Sequence, residues 1–138
     1  MKRLLAMIAA LAVFAAVLTG VPARAQQAAG GDPVEQAFRD ADDNGDGVVN
    51  IDEFVAYTVY LFRGYDKNGD RFLVIAEIPN ANPVRFKTAD RDGDGRLSLG
   101  EAVAARVIDF FEMDTDRNGV ITITEVRAYE QKLGGTRR

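Results

Sequence analysis

The sequence predicts an all-α protein whose helices are joined by short acidic loops. The first observation is a period of 24 residues that runs from residue 38 to residue 125. The second is that each repeat contains an Asp-, Asn- and Gly-rich stretch, followed at a constant spacing by a glutamate. Four columns carry the period: Phe38, Phe62, Phe86 and Phe110; Asp42, Asp66, Asp90 and Asp114; Val49, Leu73, Leu97 and Ile121; Glu53, Glu77, Glu101 and Glu125.

The composition excludes several classes of enzyme. The 138 residues include no His and no Cys, which excludes an imidazole base, a thiolate nucleophile, a disulfide and the common zinc sites. The only serine, Ser98, has no histidine to activate it, which excludes the usual serine hydrolases. The formal net charge of −4 argues against a nucleic-acid partner, because phosphate backbones require clustered Lys and Arg. Carboxylate oxygen is plentiful, so hard metal ions are the predicted partners.

The N-terminal segment is predicted to be a secretory signal peptide that covers residues 1–25. A positively charged start precedes an unbroken apolar run at 4–18, and the A-x-A pattern at 23–25 fits a cleavage site. At about 1.5 Å per residue the run is too short for a hydrocarbon core of about 30 Å, so no stable membrane anchor is expected after cleavage. The protein is therefore predicted to be periplasmic or secreted, with a flexible linker at 26–32 and a flexible tail at 134–138.

The first helix after the linker is predicted to begin at Pro33. Asp32 and Glu35 stand at the N-cap and N3 positions of a capping box, and Pro33 takes the first helical position. Four apolar residues then recur at i, i+3, i+4 and i+7, as a helix with one face in the core requires. These residues are Val34, Ala37, Phe38 and Ala41.

The acidic stretches carry the motif that points to a family. The stretches that begin at Asp42, Asp90 and Asp114 match D-x-[DN]-x-[DN]-G-x5-E, and the one that begins at Asp66 lacks only the glycine. In these motifs, which span 33–133, the chain resembles the EF-hand superfamily of calcium-binding proteins. The resemblance implies four helix-loop-helix motifs that share helices in one compact domain, and calcium binding in their loops. The implied loops are residues 42–53, 66–77, 90–101 and 114–125.

Each regular loop is expected to hold one ion in a shell of oxygen atoms. Calcium takes 6 to 8 oxygens, and the resemblance implies that side chains at positions 1, 3, 5, 9 and 12 and the carbonyl at position 7 supply them. The third loop has four ligand carboxylates and is expected to bind most tightly. In the first loop the implied ligands are Asp42, Asn44, Asp46, the Val48 carbonyl, Asn50 (directly or through water) and Glu53. In the third they are Asp90, Asp92, Asp94, the Arg96 carbonyl, Ser98 and Glu101. In the fourth they are Asp114, Asp116, Asn118, the Val120 carbonyl, Thr122 and Glu125.

The second loop is the predicted weak site. Arg71 occupies the glycine position, where a left-handed backbone costs a non-glycine residue about 1 to 2 kcal/mol. Val74 occupies position 9 and offers no side-chain oxygen. The loop is therefore either a weak calcium site or a purely structural loop. Its implied ligands are Asp66, Asn68, Asp70, the Phe72 carbonyl and Glu77.

The spacing between the loops predicts how they pair. Only 12 residues, such as 54–65, separate the first loop from the second, so one helix must serve both. At about 1.5 Å per residue that helix holds its two loops about 18 Å apart. The same holds for 102–113, whereas Pro79 and Pro83 interrupt any helix between the second and third loops. We therefore expect the second loop to pair with the third and the first with the fourth, through short β-bridges at position 8 of each loop.

Calcium is favoured over lanthanides as the bound ion. The compressed spacing, the four loops and the secretory signal also resemble lanmodulins, the periplasmic lanthanide-binding branch of the superfamily. That branch typically has proline at loop position 2 and often aspartate at position 9. Lanthanides have similar radii and higher charge, so the same loops are expected to bind them in vitro. The absence of both features favours calcium. This chain has Asp43, Lys67, Arg91 and Thr115 at position 2 and Asn50, Val74, Ser98 and Thr122 at position 9.

The predicted role is an extracytoplasmic calcium buffer or calcium-stabilised module, and not an enzyme. A metal enzyme needs an open coordination position and a nearby acid or base, whereas these loops close around their ion. The alternative is a calcium sensor or adaptor that binds a protein partner through an apolar groove, often rich in methionine. Only Met113 follows the predicted cleavage site. Five basic residues of the central segment are expected to be solvated counter-charges: Arg63, Arg71, Arg85, Lys87 and Arg91.

Overall fold

Five α-helices and four two-residue strands make up the described part of the chain. The computed structural model describes residues 32–79 and 81–135, so the predicted signal peptide, the linker before residue 32 and the last three residues of the predicted tail lie outside the described residues. The helices are α1 (Pro33–Ala41), α2 (Ile51–Tyr65), α3 (Pro83–Ala89), α4 (Leu99–Met113) and α5 (Ile123–Gly135). The strands are β1 (Val49–Asn50), β2 (Phe72–Leu73), β3 (Leu97–Ser98) and β4 (Val120–Ile121), and a 3-10 turn at Ile75–Glu77 follows β2.

The first helix begins as predicted, with one difference in its capping. The Asp32 carboxylate accepts a hydrogen bond of 3.0 Å from the Val34 amide, and Pro33 occupies the first turn. The Glu35 carboxylate, which was expected to complete a capping box, accepts a bond of 2.8 Å from the Arg127 guanidinium on α5. Arg127 also donates to Asp32 at 2.9 Å, so the cap ties α1 to α5. The predicted apolar face is buried throughout: Val34, Ala37, Phe38 and Ala41.

Two helices are each shared between two loops, as the spacing predicts. The helix α2 leaves the first loop and enters the second, and α4 leaves the third loop and enters the fourth. The two shared helices pack against each other. Phe54 and Phe110 meet between them in an edge-to-face arrangement with ring centroids 5.4 Å apart, a favoured geometry for aromatic pairs.

The chain turns back between the second and third loops, at the position of the predicted break. The second loop ends in the 3-10 turn Ile75–Glu77 and not in the start of an α-helix, and Pro79 prevents a helix from continuing beyond it. The next helix, α3, begins at Pro83, and the side-chain oxygen of its N-cap residue Asn82 accepts a 2.9 Å bond from the Val84 amide. The second motif therefore has a full helix before its loop and a single turn after it.

Both predicted loop pairs are present. The strand β1 pairs antiparallel with β4, with Val49 opposite Ile121, and β2 pairs antiparallel with β3, with Leu73 opposite Leu97. All four residues stand at position 8 of their loops and are buried. The first and fourth loops therefore form one pair, and the second and third loops form the other.

Each loop pair contributes to its own cluster of buried side chains. The smaller cluster lies at the second and third loops and consists of Phe62, Leu73 and Leu97, with Phe86 partly buried against it. The larger cluster lies at the first and fourth loops and draws on α1, α2, α4 and α5. Its members are Val34, Phe38, Ala41, Val49, Phe54, Tyr57, Phe110, Met113, Ile121, Val126 and Tyr129.

The last helix is longer than expected. The flexible tail was predicted to begin at residue 134, whereas α5 continues to Gly135. Helix ends vary by one or two residues, so the difference is small. Among the described residues no helix is both long and apolar enough to cross a membrane.

Candidate metal-binding loops

The carboxylate of the first aspartate in each loop accepts hydrogen bonds from backbone amides of the same loop. In the first loop, Asp42 Oδ1 accepts hydrogen bonds from the amides of Gly45 at 2.8 Å and Asp46 at 3.1 Å, and Asp42 Oδ2 accepts from Gly47 at 3.0 Å. The equivalent carboxylates make the same kind of contact in the other loops, at Asp66, Asp90 and Asp114. These hydrogen bonds curve each loop around its first aspartate.

The side chains at positions 3 and 5 are held in the same way. In the first loop, Asn44 Oδ1 accepts from the Asp46 amide at 2.8 Å, and Asp46 Oδ1 accepts from the Val48 amide at 3.0 Å. These bonds restrict the side-chain torsions of the two residues. The local sequence therefore helps to orient the predicted ligands.

The glutamate at position 12 closes each regular loop from the opposite side. Glu101 accepts hydrogen bonds from the amide and hydroxyl of Ser98, at 2.9 and 2.8 Å, and from the Arg91 amide at 2.9 Å. These bonds, led by those from Ser98, lower the pKa of Glu101 to about 2. The carboxylate is therefore ionised at neutral pH, which is the form that binds a metal ion.

Glu125 plays the same part in the fourth loop. It accepts bonds from the amide and hydroxyl of Thr122 at 2.9 and 3.0 Å, and from the amide and hydroxyl of Thr115 at 3.0 and 3.1 Å. Burial alone raises the pKa of Glu125, but the hydrogen bonds outweigh it and the pKa lies below its usual value. The fourth loop is therefore also closed by an ionised carboxylate.

Position 9 has a second task that the sequence-based prediction missed. Asn50, Ser98 and Thr122 each accept a hydrogen bond from the backbone amide of the glutamate three residues later, so they act as N-caps of the outgoing helices. Val74 has no acceptor for this purpose, and the helix after the second loop is only a 3-10 turn. The Glu77 carboxylate accepts a 3.0 Å hydrogen bond from the Val74 amide, but position 9 has no hydroxyl to donate a second one. A polar side chain at position 9 thus caps the outgoing helix, and the hydroxyls of Ser98 and Thr122 also donate to the position-12 carboxylate.

The third and fourth loops bring acidic oxygens close enough to share an ion. Ligand atoms of Asp90, Asp92 and Asp94 all lie within 4.8 Å of one another, as do those of Asp114, Asp116 and Glu125. Calcium–oxygen distances are about 2.3 to 2.6 Å, so two oxygens on one ion lie at most about 5 Å apart. The hard, anionic donors in both loops fit a calcium ion.

The second loop contains the strained residue that the sequence predicts. Arg71 has φ = 69°, a left-handed conformation that the other three loops assign to glycine at this position. A second strained residue was not expected, because position 4 was not considered. Arg117 of the fourth loop has φ = 59° where the first three loops have Gly45, Gly69 and Gly93. The glycine in three of four repeats at position 4 is the signal that identifies this site.

One of the basic residues predicted to be a solvated counter-charge has a specific partner. The Arg85 guanidinium on α3 forms an ion pair with the carboxylate of Asp109 on α4, whose side chain is 9% exposed. Neither Asp109 nor its second donor, Tyr129, had been singled out, because neither belongs to the 24-residue columns. Arg85 is therefore a counter-charge, as predicted, but a half-buried one, because helix packing places a buried carboxylate beside it.

The family comparison agrees with the loops that have regular geometry. A family model described as EF hand matches residues 34–56, 84–101 and 107–128. These segments contain the first, third and fourth loops, and the second loop lies outside them. No curated protein matches the chain.

Proposed function

Because the chain belongs to the EF-hand superfamily, we propose that it is an extracytoplasmic calcium buffer or calcium-stabilised module. EF-hand segments indicate calcium binding, and the acidic groups of the third and fourth loops fit that ion. The observation that carries the proposal is the clustering of Asp114, Asp116 and Glu125 within 4.8 Å, held by backbone amides. We assign strong sites to the first, third and fourth loops and a weak site to the second.

The buffer role is supported by the way the loops close. In each regular loop the position-12 glutamate accepts a hydrogen bond from the position-9 amide, as expected of a loop that closes around its ion. Extracellular modules of this type bind with dissociation constants of about 10⁻⁴ to 10⁻³ M. The extracytoplasmic location is supported by the signal-like pattern of residues 1–25.

Calcium is also expected to stabilise the fold. Three carboxylates within 4.8 Å repel one another, and an ion at their centre removes that repulsion. Because the loops form only in the folded chain, the binding free energy adds to the stability of the folded state. The metal-free protein is expected to have less helix than the loaded one.

Calorimetric titration of the metal-free protein, followed together with far-ultraviolet circular dichroism, tests the proposal. We expect three or four calcium ions to bind with rising helicity. The variant with Glu53→Gln, Glu101→Gln and Glu125→Gln together should bind none strongly, whereas Glu112→Gln, an exposed carboxylate outside the loops, should bind like the wild type. Absence of binding heat up to millimolar calcium would refute calcium binding. Folding only with a lanthanide, at far lower concentration, would place the protein in the lanthanide-binding branch instead.

The location has its own test. The N-terminal sequence of the protein recovered from outside the cytoplasm of its expressing bacterium is expected to begin at Gln26. Recovery of the uncleaved chain in the cytoplasm would overturn the extracytoplasmic assignment without affecting calcium binding.

A calcium sensor or adaptor that binds a protein partner is the second candidate. Ile108 and Phe111, one turn apart on α4, are 52% and 65% exposed, which is unusual for large apolar side chains. A sensor requires that calcium enlarge this apolar surface. An apolar dye whose fluorescence rises with calcium in the wild type, and less in Phe111→Ser, would favour the sensor. An unchanged dye signal would favour the buffer.

A further inference from the structure

A buried carboxylate joins three helices of the fold. The Oδ1 atom of Asp109 on α4 accepts hydrogen bonds from the Arg85 guanidinium on α3 and from the Tyr129 hydroxyl on α5, the latter at 2.8 Å. Its Oδ2 atom accepts a 2.9 Å bond from Arg106, one turn earlier on α4. The Arg106 guanidinium lies over the ring of Phe54 on α2, 4.9 Å from its centroid. We call Asp109, Arg85, Arg106 and Tyr129 the Asp109 network.

The network connects the helices that flank the third and fourth loops. The helix α3 enters the third loop, α4 leaves the third and enters the fourth, and α5 leaves the fourth. Arg85, Asp109 and Tyr129 lie one on each of these helices. The relative orientation of the helices on both sides of both loops is therefore tied to one carboxylate.

The β-bridges do not make this connection. They join the first loop to the fourth and the second to the third. The third and fourth loops lie at opposite ends of α4 and belong to different loop pairs. Communication between the two pairs must pass through the shared helices and the side chains packed between them.

Stability alone does not explain a buried charge cluster at this place. Moving a carboxylate out of water is costly, and apolar side chains of similar volume often stabilise a core as well as a buried ion pair does. A fully paired cluster instead tolerates only a narrow range of helix arrangements, because a rotation that removes one donor leaves a buried charge unsatisfied. Such a cluster makes the orientations of α3, α4 and α5 depend on one another.

We propose that Asp109 is a positioning residue that couples calcium occupancy of the third loop to that of the fourth. Each loop joins two helices, so an ion that orders the loop also restricts the relative orientation of those helices. Occupancy of the third loop fixes α3 against α4, which sets Asp109 in place to hold Tyr129 and hence α5. The fourth loop is then closer to its bound geometry before its own ion arrives, and the effect is reciprocal. The inference rests on calcium binding by these two loops.

The test is a cycle of variants read out one loop at a time. The Gly95 and Gly119 amides donate to Asp90 and Asp114 respectively, so their nuclear magnetic resonance signals report the third and fourth loops separately. Glu101→Gln disables the third loop, and Tyr129→Phe removes one hydroxyl from the network while both arginines still pair with Asp109. Calcium titrations compare the wild type, each single variant and the double variant.

In the wild-type background, Glu101→Gln is expected to weaken calcium binding at the fourth loop by at least about fivefold, the lower range of typical allosteric coupling. In the Tyr129→Phe background the same change is expected to weaken it less than about twofold. If Tyr129 only stabilised the fold, Tyr129→Phe would shift the calcium midpoints of the third and fourth loops alike and leave the coupling intact. Equal effects of Glu101→Gln in both backgrounds, or no effect in the wild type, would overturn the inference.

Controls separate the network from general charge and folding effects. Tyr60→Phe removes a hydroxyl from an exposed tyrosine and should leave the coupling unchanged. Asp109→Asn should abolish the coupling, whereas Glu112→Gln removes a charge from the same helix, nearer the fourth loop, and should preserve it. If Glu101→Gln fails to fold by circular dichroism, Glu101→Asp replaces it. A wild-type protein whose Gly119 signal ignores calcium would refute calcium binding itself, a different result from binding without coupling.

Discussion

The guanidinium of Arg96 donates two hydrogen bonds to Oδ2 of Asp94, at 2.9 and 3.2 Å, within the third loop. The same guanidinium lies 4.2 Å from the centroid of the Phe72 ring in the paired second loop. Asp94 is a predicted ligand, so the Arg96 guanidinium competes with calcium for one of its carboxylate oxygens. The expectation that the third loop binds most tightly was based on carboxylate number alone and did not include this competitor.

Replacing Arg96 is therefore expected to tighten the third loop. Arg96→Gln removes the competing charge and leaves the backbone carbonyl, the predicted ligand at position 7, in place. Exposed ion pairs contribute about 0.2 to 1 kcal/mol, so the calcium affinity of the third loop should rise by up to about fivefold at low salt, and less at high salt. The Gly95 amide signal measures this midpoint. Arg39→Gln, which disrupts an exposed ion pair on α1, should not move it.

Arg71 offers a test of backbone strain in the second loop. Arg71→Gly places at φ = 69° the residue that adopts this conformation without steric cost. The relief of about 1 to 2 kcal/mol is partly offset by the greater freedom of glycine in the unfolded chain, so we expect a net stabilisation of about 0.5 to 1 kcal/mol. Chemical denaturation measures the free energy of unfolding. Arg63→Gly, inside α2, should destabilise by about 1 kcal/mol, and the same sign for both changes would contradict the explanation.

The pairing of the loops was predictable because the sequence contains a geometric constraint. A spacing of 12 residues leaves room for one helix, and one helix cannot bring the loops at its two ends together. Pro79 and Pro83 then mark the place between the second and third loops where the chain can reverse. The buried aliphatic residue at position 8, such as Val49 or Leu73, follows from the same period and confirms the register of the β-bridges.

The Asp109 network was not predictable in the same way. Its members lie on three helices and fall in none of the four columns that define the repeat. Arg85 and Asp109 do stand 24 residues apart, at equivalent positions of consecutive repeats, but they differ in residue type, so the period does not mark them as partners. A charged residue in the middle of an apolar helix such as α4 is the only local signal, and sequence alone does not show whether Asp109 faces solvent. The contact of Arg96 with Asp94 escaped prediction for a related reason, because side-chain choices within a loop depend on the loop paired with it.

The Tyr129 hydroxyl gives the folded protein a pH dependence at the alkaline side. Burial, followed by the charge of Asp109, raises the pKa of Tyr129 to about 12 from its ordinary value of 10.0. The contribution of this group to stability is therefore fully present below pH 10 and is lost as the pH rises towards 12. Wild type should lose more unfolding free energy than Tyr129→Phe between pH 9 and pH 11.5 in denaturation experiments. Parallel losses in the two proteins would show that Tyr129 ionises as freely in the folded state as in the unfolded chain.

Two adjacent phenylalanines separate core packing from surface exposure. Phe110 is 1% exposed and packs on Phe54, whereas Phe111 is 65% exposed on the same helix. Phe110→Ala should destabilise the calcium-loaded protein by about 3 to 5 kcal/mol, because it removes a buried ring and leaves a cavity. Phe111→Ala removes an edge-to-face contact with Phe110, at 5.7 Å between ring centroids, and should cost at most about 1.5 kcal/mol. Thermal unfolding of both variants checks the pair, and equal losses would contradict the division between core and surface.

Val74 tests whether position 9 controls the strength of the second loop. Val74→Thr supplies the hydroxyl that Thr122 uses to hold Glu125 and to cap the following helix. The added hydroxyl can donate to the Glu77 carboxylate, and hydrogen bonds of this kind contribute about 0.5 to 1.5 kcal/mol. Calcium affinity of the second loop should therefore rise by about two- to tenfold, measured by the Gly69 amide, which donates to Asp66. Val84→Thr, the same change at an exposed site on α3, should leave that midpoint unchanged. If the second loop does not bind calcium in Val74→Thr but does bind it in Arg71→Gly, then backbone strain, and not the residue at position 9, limits the site.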